Sequence, residues 1–85
     1  MANVMMYATR SCPFCLRAEQ YLARKGVDQI DKKLVDLDLQ ALEDMLEKCH
    51  TKTVPQIFIG ETLIGGFKDL VRCDREGRLE RLLLA

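Results

Sequence analysis

The sequence predicts an α/β fold in which a four-stranded mixed sheet is flanked by helices, in the order β-α-β-α-β-β-α. Three observations predict this fold. Apolar segments of strand length alternate with amphipathic segments of helix length. Gly60-Glu61 separates two of the apolar segments and is typical of a two-residue hairpin turn. The chain has 85 residues, which suits one small domain over residues 1–85.

The first half of the chain is predicted as strand, helix and strand. Val4 to Ala8 is apolar without alternation, as expected for a strand that is covered on both faces. Pro13 suits the first turn of a helix, and Gly26 suits the end of that helix. A second strand is expected within Lys33 to Leu37. Because a strand, a helix and a strand in sequence form a right-handed crossover, the two strands should be parallel.

The second half is predicted as helix, hairpin and helix. Asp38 is a suitable N-cap for a helix whose apolar residues recur at helical spacing from Leu39 to Cys49. The remaining elements are, in order, a strand over Thr53–Ile59, a return strand over Thr62–Ile64, and a helix that begins near Phe67 or Lys68 and is interrupted at Gly77.

Composition and charge exclude several classes of protein. Thirteen basic residues balance thirteen acidic ones, so the net charge is zero and no basic stripe suggests a nucleic-acid partner. No apolar run approaches the ~20 residues of a membrane-spanning helix. The N-terminal residues lack the features of a signal peptide. We therefore expect a cytoplasmic location, where four cysteines favour redox or metal chemistry over a disulfide framework.

The most informative segment is Cys12-Pro13-Phe14-Cys15, between the first strand and the first helix. A thiol reacts as its thiolate, and a helix N-terminus directs unpaired backbone N–H groups at Cys12, which lowers the pKa of that thiol. Cys15 lies one helical turn further on, where its sulfur can reach that of Cys12. Cys12 is therefore the candidate attacking group, and Cys15 the candidate partner in a disulfide.

Two alternatives to a redox pair remain for these cysteines. They are either incidental, or half of a zinc site. A four-cysteine zinc site usually has two closely spaced pairs, but Cys49 and Cys73 are far apart in the sequence. We therefore expect no metal site.

Two further turns carry possible binding functions. An X-Pro bond that opens a strand, such as Val54-Pro55, is sometimes cis. If it is cis, the backbone of Val54 faces outward and can pair with a peptide-like substrate as an added strand. If it is trans, Pro55 is an ordinary residue at the start of an edge strand. At Gly65-Gly66, backbone N–H groups either hold a carboxylate or only form a strand-to-helix turn.

Three segments together resemble the glutaredoxins, specifically the small bacterial-type dithiol glutaredoxins. They are Cys12-Pro13-Phe14-Cys15, Thr53-Val54-Pro55-Gln56-Ile57-Phe58-Ile59 and Ile64-Gly65-Gly66-Phe67-Lys68-Asp69-Leu70. The resemblance spans nearly the whole chain, with the segments in the order and at the spacing of the family. It implies a thioredoxin-like fold and glutathione-dependent reduction of protein disulfides and of protein–glutathione mixed disulfides. It also implies no tightly bound cofactor, with glutathione as the reducing co-substrate.

The resemblance also assigns roles around the cysteine pair. Cys12 resembles the nucleophile of the family, and Cys15 resembles the resolving thiol. Phe14 stands where the family commonly has tyrosine, which packs beside glutathione. Thr9 stands where a lysine is common, and the adjacent Arg10 is expected to supply that positive charge to glutathione.

The other implied glutathione contacts lie at the two turns. Val54 resembles the residue whose backbone pairs with the cysteinyl part of glutathione, with Thr53 and a cis Pro55 beside it. Gly66, Phe67 and Lys68 resemble the turn and helix start that hold the γ-glutamyl carboxylate. Lys68 is a departure, because the family usually has a small or acidic polar residue there.

Other functions are compatible with the same fold. A glutathione-ligated [2Fe-2S] cluster carrier is the main alternative, although relatives with that role more often have glycine after the first cysteine and serine in place of the second. A thioredoxin is disfavoured because the chain has no tryptophan. A binding module without catalysis is disfavoured because both thiols are retained. The expected partners are glutathione, protein disulfides and glutathionylated proteins, not nucleic acid or membrane, and the protein is expected to be a monomer.

The remaining cysteines are expected in the core. Cys49 falls on the apolar stripe of the second helix, and Cys73 lies on the third. A partly exposed Cys73 would instead be open to glutathionylation, or to a disulfide-linked dimer under oxidation.

Overall fold

The computed structural model describes residues 2–85, and Met1 lies outside the described residues. The elements follow the predicted order, except that the last helix is divided into two. They are β1 Val4–Ala8, α1 Pro13–Arg24, β2 Asp31–Leu34, α2 Leu39–Cys49, β3 Gln56–Ile59, β4 Thr62–Gly65, α3 Phe67–Arg75 and α4 Arg78–Leu84.

The four strands form one mixed sheet in the order β2-β1-β3-β4. β1 pairs in parallel with β2, as the crossover through α1 requires, and antiparallel with β3. β3 and β4 form the antiparallel hairpin that the turn at residues 60 and 61 predicts. The predicted four-stranded mixed sheet flanked by helices is therefore confirmed.

The main core lies on the face of the sheet that carries α1 and α3. Met6 and Ile57, from the two central strands, are fully buried there with Leu22 of α1 and Leu70 of α3. A smaller cluster around Tyr7 and the helix α2 lies apart from it. Burial of these apolar side chains fixes α1 and α3 against the sheet, and the N-termini of these two helices border the site described below.

Some predicted boundaries are wrong. β2 is Asp31–Leu34 rather than within Lys33 to Leu37, since it is an exposed edge strand whose charged residues give no apolar signal. Leu37 and Leu39, which drew the predictions of β2 and α2, are 60% and 68% exposed. β3 begins at Gln56 rather than Thr53, because the residues before it pair with no strand.

Within residues 2–85, no helix has the length and apolar character required to cross a membrane.

Candidate active site

The cysteine pair lies where the sequence predicts it, at the start of α1. Cys12 is the N-cap residue, with extended backbone dihedral angles, and the helix begins at Pro13. The structure joins the sulfurs of Cys12 and Cys15 in a disulfide, with Cα atoms 5.1 Å apart. Cys12 is partly exposed, whereas Cys15 is only 3% exposed. An incoming thiol or disulfide can therefore approach Cys12 more readily than Cys15.

The helix N-terminus also contributes a direct contact to the reactive sulfur. The backbone N–H of Cys15 donates a hydrogen bond to Sγ of Cys12 over 3.1 Å. This N–H is one of the first-turn donors that have no partner within the helix. After reduction of the disulfide, the same N–H and the positive end of the helix dipole would stabilise a thiolate on Cys12.

The Val54-Pro55 bond is cis, which settles the choice that the sequence leaves open. Val54 precedes β3, takes part in no strand pairing, and makes none of the turn or loop backbone hydrogen bonds within residues 2–85. The side-chain amide of Gln56 donates hydrogen bonds to the carbonyl oxygen of Thr53 over 3.0 Å and to its hydroxyl oxygen over 3.1 Å. These hydrogen bonds hold the loop at Thr53, while the backbone N–H and C=O of Val54 stay available to a bound peptide.

The turn before α3 forms a second place for backbone contacts. Gly65 has a φ of +111°, a conformation that residues with side chains rarely adopt. The backbone N–H of Gly66 donates a hydrogen bond to Oδ2 of Asp69 over 2.9 Å. Helical bonding begins with the N–H of Leu70, which donates to the carbonyl oxygen of Gly66 over 3.0 Å. The first-turn N–H groups at positions 67–69 therefore point out of the helix end, as an anion site requires.

These segments border one groove of about 290 Å³ beside the cysteine pair. We call it the glutathione groove, after the ligand that the resemblance to the glutaredoxins implies. Its aromatic wall consists of Phe14 and Phe67, whose ring centroids are 6.4 Å apart. Seven of the ten predicted site residues line it, namely Phe14, Thr53, Val54, Pro55, Gly66, Phe67 and Lys68.

Two lining residues of this groove, Gln56 and Asp69, were missed by the sequence analysis. A signal for Asp69 was present, because an acidic residue three positions after a helix N-cap often accepts a hydrogen bond from the N-cap N–H. No comparable local signal marks Gln56, whose side-chain amide donates hydrogen bonds to Thr53 in the loop before β3.

Arg10 lies outside the glutathione groove. It borders a separate groove of about 470 Å³ that Cys12 and Cys15 also line. Its Nε lies 2.9 Å from Oδ2 of Asp36, and this hydrogen bond lowers the pKa of the Asp36 carboxyl. The guanidinium is thus engaged by a neighbouring carboxylate, and the contact of Arg10 with glutathione stays a prediction.

The other two cysteines are kept apart from this chemistry. Cys73 is only 3% exposed, so its expected place in the core is confirmed, and the alternative of a partly exposed thiol is wrong. Cys49 is half-buried against the smaller cluster rather than fully in the core. Burial raises the pKa of both thiols.

Among the described residues, no three potential metal ligands of the His, Cys, Asp and Glu types come together. The iron–sulfur alternative, which also requires glutathione thiols, stays a prediction.

A dithiol at a helix N-terminus beside an unpaired cis-proline loop defines a thiol–disulfide oxidoreductase of the thioredoxin-like class. The glutaredoxin family model matches residues 4–64. A glutaredoxin of Neisseria meningitidis is 45% identical over 83 residues, which is 98% of each chain. The chain therefore belongs to the glutaredoxin family.

Solved structures agree with this assignment. A glutaredoxin of Brucella melitensis is 37% identical, with a TM-score of 0.82 over 98% of this chain and 89% of that chain. The complex of a buckwheat glutaredoxin with glutathione has a TM-score of 0.85 over 98% of this chain and 77% of that chain, and at 22% identity it supports the fold alone.

These findings confirm the predicted family, fold and reaction. The protein is a dithiol glutaredoxin, an enzyme that reduces disulfides in a glutathione-dependent reaction through its Cys-X-X-Cys site. Glutathione is the co-substrate of this family's reaction.

Proposed function

We propose that Cys12 is the nucleophile and Cys15 the resolving thiol of this glutaredoxin. The observation that carries the proposal is the asymmetry of the pair: Cys12 is the partly exposed N-cap residue, its sulfur accepts the N–H of Cys15, and Cys15 is buried one turn later. Only the sulfur of Cys12 is both accessible and directly stabilised by the helix N-terminus.

The reaction with a protein disulfide uses both thiols. The thiolate of Cys12 attacks one sulfur, the other leaves as a thiolate, and a mixed disulfide forms on Cys12. The thiolate of Cys15 then attacks the sulfur of Cys12, which releases the reduced substrate and leaves the Cys12–Cys15 disulfide. Two glutathione molecules restore the dithiol and leave as glutathione disulfide. With a glutathionylated protein, Cys12 takes the glutathionyl group, and a second glutathione can release it without Cys15.

Glutathione lies in the glutathione groove in this proposal. Its cysteinyl backbone pairs with the free N–H and C=O of Val54, as an added strand does. Its γ-glutamyl carboxylate lies at the first-turn N–H groups that begin at Phe67, where the N-terminus of α3 favours an anion. The ring of Phe14 packs along its side. The lining of the groove supports this placement, since Phe14, Val54 and Phe67 all border it.

The physiological setting follows from this chemistry. The substrates are protein disulfides and glutathionylated proteins, and the enzyme acts as a monomer with its single domain over residues 1–85. Its place is the cytoplasm, where glutathione keeps thiols reduced.

A coupled assay tests the roles of the thiols. Turnover of a glutathionylated peptide is measured with glutathione, glutathione reductase and its reduced nicotinamide cofactor, on the wild type, Cys12→Ser and Cys15→Ser. We expect Cys12→Ser to abolish turnover and Cys15→Ser to keep most of it. With a protein disulfide as substrate, both variants should be inactive. Cys49→Ser serves as the matched control and should behave like the wild type. Wild-type turnover by Cys12→Ser would overturn the assignment.

A further inference from the structure

A second groove continues from the glutathione groove along α3, and its charged lining is basic. Phe67 and Lys68 border both grooves, and Val71, Arg72 and Arg75 complete the second one, which measures about 380 Å³. We call it the basic groove. Positions 68, 72 and 75 follow the i, i+4, i+7 spacing of one helix face. The three cationic side chains are all exposed.

The positive charge of the basic groove is only partly compensated. Oδ1 of Asp69 lies 3.6 Å from Nη1 of Arg72, and Oδ2 of Asp69 accepts a hydrogen bond from the backbone N–H of Gly66. Asp74 accepts a hydrogen bond from Tyr21 of α1 and forms an ion pair with Lys25, the residue that follows this helix. Within residues 2–85, neither Lys68 nor Arg75 has a carboxylate within 4.0 Å. A chain with zero net charge therefore presents a local excess of positive charge beside the glutathione groove.

We propose that the basic groove binds an acidic segment of the protein substrate, on the amino-terminal side of the substrate cysteine. This inference rests on the proposed function, which places the substrate cysteine between Cys12 and the backbone of Val54. The γ-glutamyl group precedes the cysteine of glutathione and lies at the turn before α3. A protein segment that takes the place of glutathione therefore directs the residues before its cysteine toward α3.

The dimensions of the groove define the length of that segment. Lys68 and Arg75 are seven residues apart, which is ~10 Å along a helix. An extended peptide covers this distance in about three residues. The occupant must also carry a disulfide to be a substrate, so it is a polypeptide rather than a nucleic acid. The apolar side chains of Phe67 and Val71 line the same groove and can pack against the stems of acidic side chains.

Short peptide disulfides test the proposal directly. Each peptide carries one cysteine in a disulfide with thionitrobenzoate, preceded by three acidic residues, three basic residues, or three serines. A fourth peptide has the acidic residues after the cysteine. The reduced enzyme attacks the peptide sulfur through Cys12, and thionitrobenzoate leaves as a coloured thiolate. Cys15 then displaces the peptide as its thiol, so the enzyme dithiol supplies the two electrons that reduce the disulfide. The rate of colour release under single-turnover conditions gives the second-order rate constant.

We expect the acidic peptide to react about tenfold faster than the basic one at low ionic strength. The preference should fall at 0.5 M salt, because exposed charges are then screened. The double variant Arg72→Gln/Arg75→Gln should react with the acidic peptide about fivefold more slowly, the factor expected for the loss of two exposed ion pairs. The matched control Arg24→Gln/Lys48→Gln changes the net charge equally on other helices and should retain the preference.

Three results would overturn the inference. They are equal rates for the acidic and basic peptides, an undiminished acidic preference in Arg72→Gln/Arg75→Gln, and an equal effect of acidic residues placed after the cysteine. The glutathione-coupled assay with hydroxyethyl disulfide separates this inference from the proposed function. Normal turnover there, without any charge preference among the peptides, would overturn only the role of the basic groove. Absence of glutathione-supported turnover in the wild type would overturn the proposed function itself.

Discussion

The turn before α3 requires a residue without a side chain at position 65. The loss in the free energy of unfolding of the variant Gly65→Ala measures this requirement. A Cβ atom at this position would lie 2.5 Å from Oδ2 of Asp69, the atom that accepts the N–H of Gly66. The φ of +111° costs a residue with a side chain about 1–2 kcal/mol. Displacement of the Asp69 carboxylate removes a capping hydrogen bond, which costs about 1 kcal/mol more. Together, the free energy of unfolding should fall by about 2–3 kcal/mol.

Urea-induced unfolding of matched variants gives this difference. Gly26 also has a positive φ, +91°, but no atom lies within 4 Å of the position of its Cβ, so Gly26→Ala should show only the backbone cost. In an Asp69→Ala background, the cost of Gly65→Ala should fall close to that of Gly26→Ala, because the hydrogen bond and the contacts with Oδ2 and Cγ are absent and only the 3.3 Å contact with the Cβ of residue 69 remains. Equal costs for Gly65→Ala and Gly26→Ala in the wild type, or additive effects of Gly65→Ala and Asp69→Ala, would refute the reasoning.

Two further predictions concern thiols and pH. In the reduced native protein, Cys73 should be alkylated by iodoacetamide far more slowly than Cys12, and Cys49 at an intermediate rate, because burial hinders access to Cys73 and Cys49 and raises the pKa of both thiols. Mass spectrometry of the labelled peptides locates the adducts, and equal labelling with and without urea would contradict this. Hydrogen bonds from Tyr21 and Lys25 lower the pKa of the Asp74 carboxyl, so its contribution to stability is present above pH ~4 and is lost as the pH falls through the lowered pKa. Asp74→Asn should therefore be less stable than the wild type at pH 7, with a difference that shrinks in acid, whereas a difference independent of pH would show that the charge has no role.

Local signals predicted most of the fold. The proline at the start of α1, the hairpin turn and the apolar central strands each act within a few residues, so the sequence alone places them. β2 was placed too late, because its first three residues are charged and its position depends on pairing with β1. Gly77 was predicted to interrupt the last helix, and its φ of +75° separates α3 from α4.

The active site also has one part that local sequence signals predict and another that depends on the fold. The Cys12–Cys15 pair follows from spacing and a helix start, which are local. That Val54 and Gly66 border one groove with Phe14 depends on how the sheet brings distant segments together, and only the resemblance to a family predicted it. The ion pair between Arg10 and Asp36 also joins distant segments, and no local sequence pattern at either residue predicts it.

In the proposed binding mode, glutathione is held mainly by backbone groups. Its cysteinyl part and its γ-glutamyl carboxylate contact the backbone at Val54 and at the first turn of α3, and any side chain at position 68 would leave these contacts in place. Lys68 can therefore depart from the usual small or acidic residue without removing the contacts on which glutathione depends. Its exposed ammonium group joins the cations of α3, where the proposed acidic segment of a protein substrate, but not glutathione, would extend beyond the glutathione groove. Replacement of Arg72 and Arg75 should therefore change the rate with charged protein substrates while the reaction with glutathione is preserved.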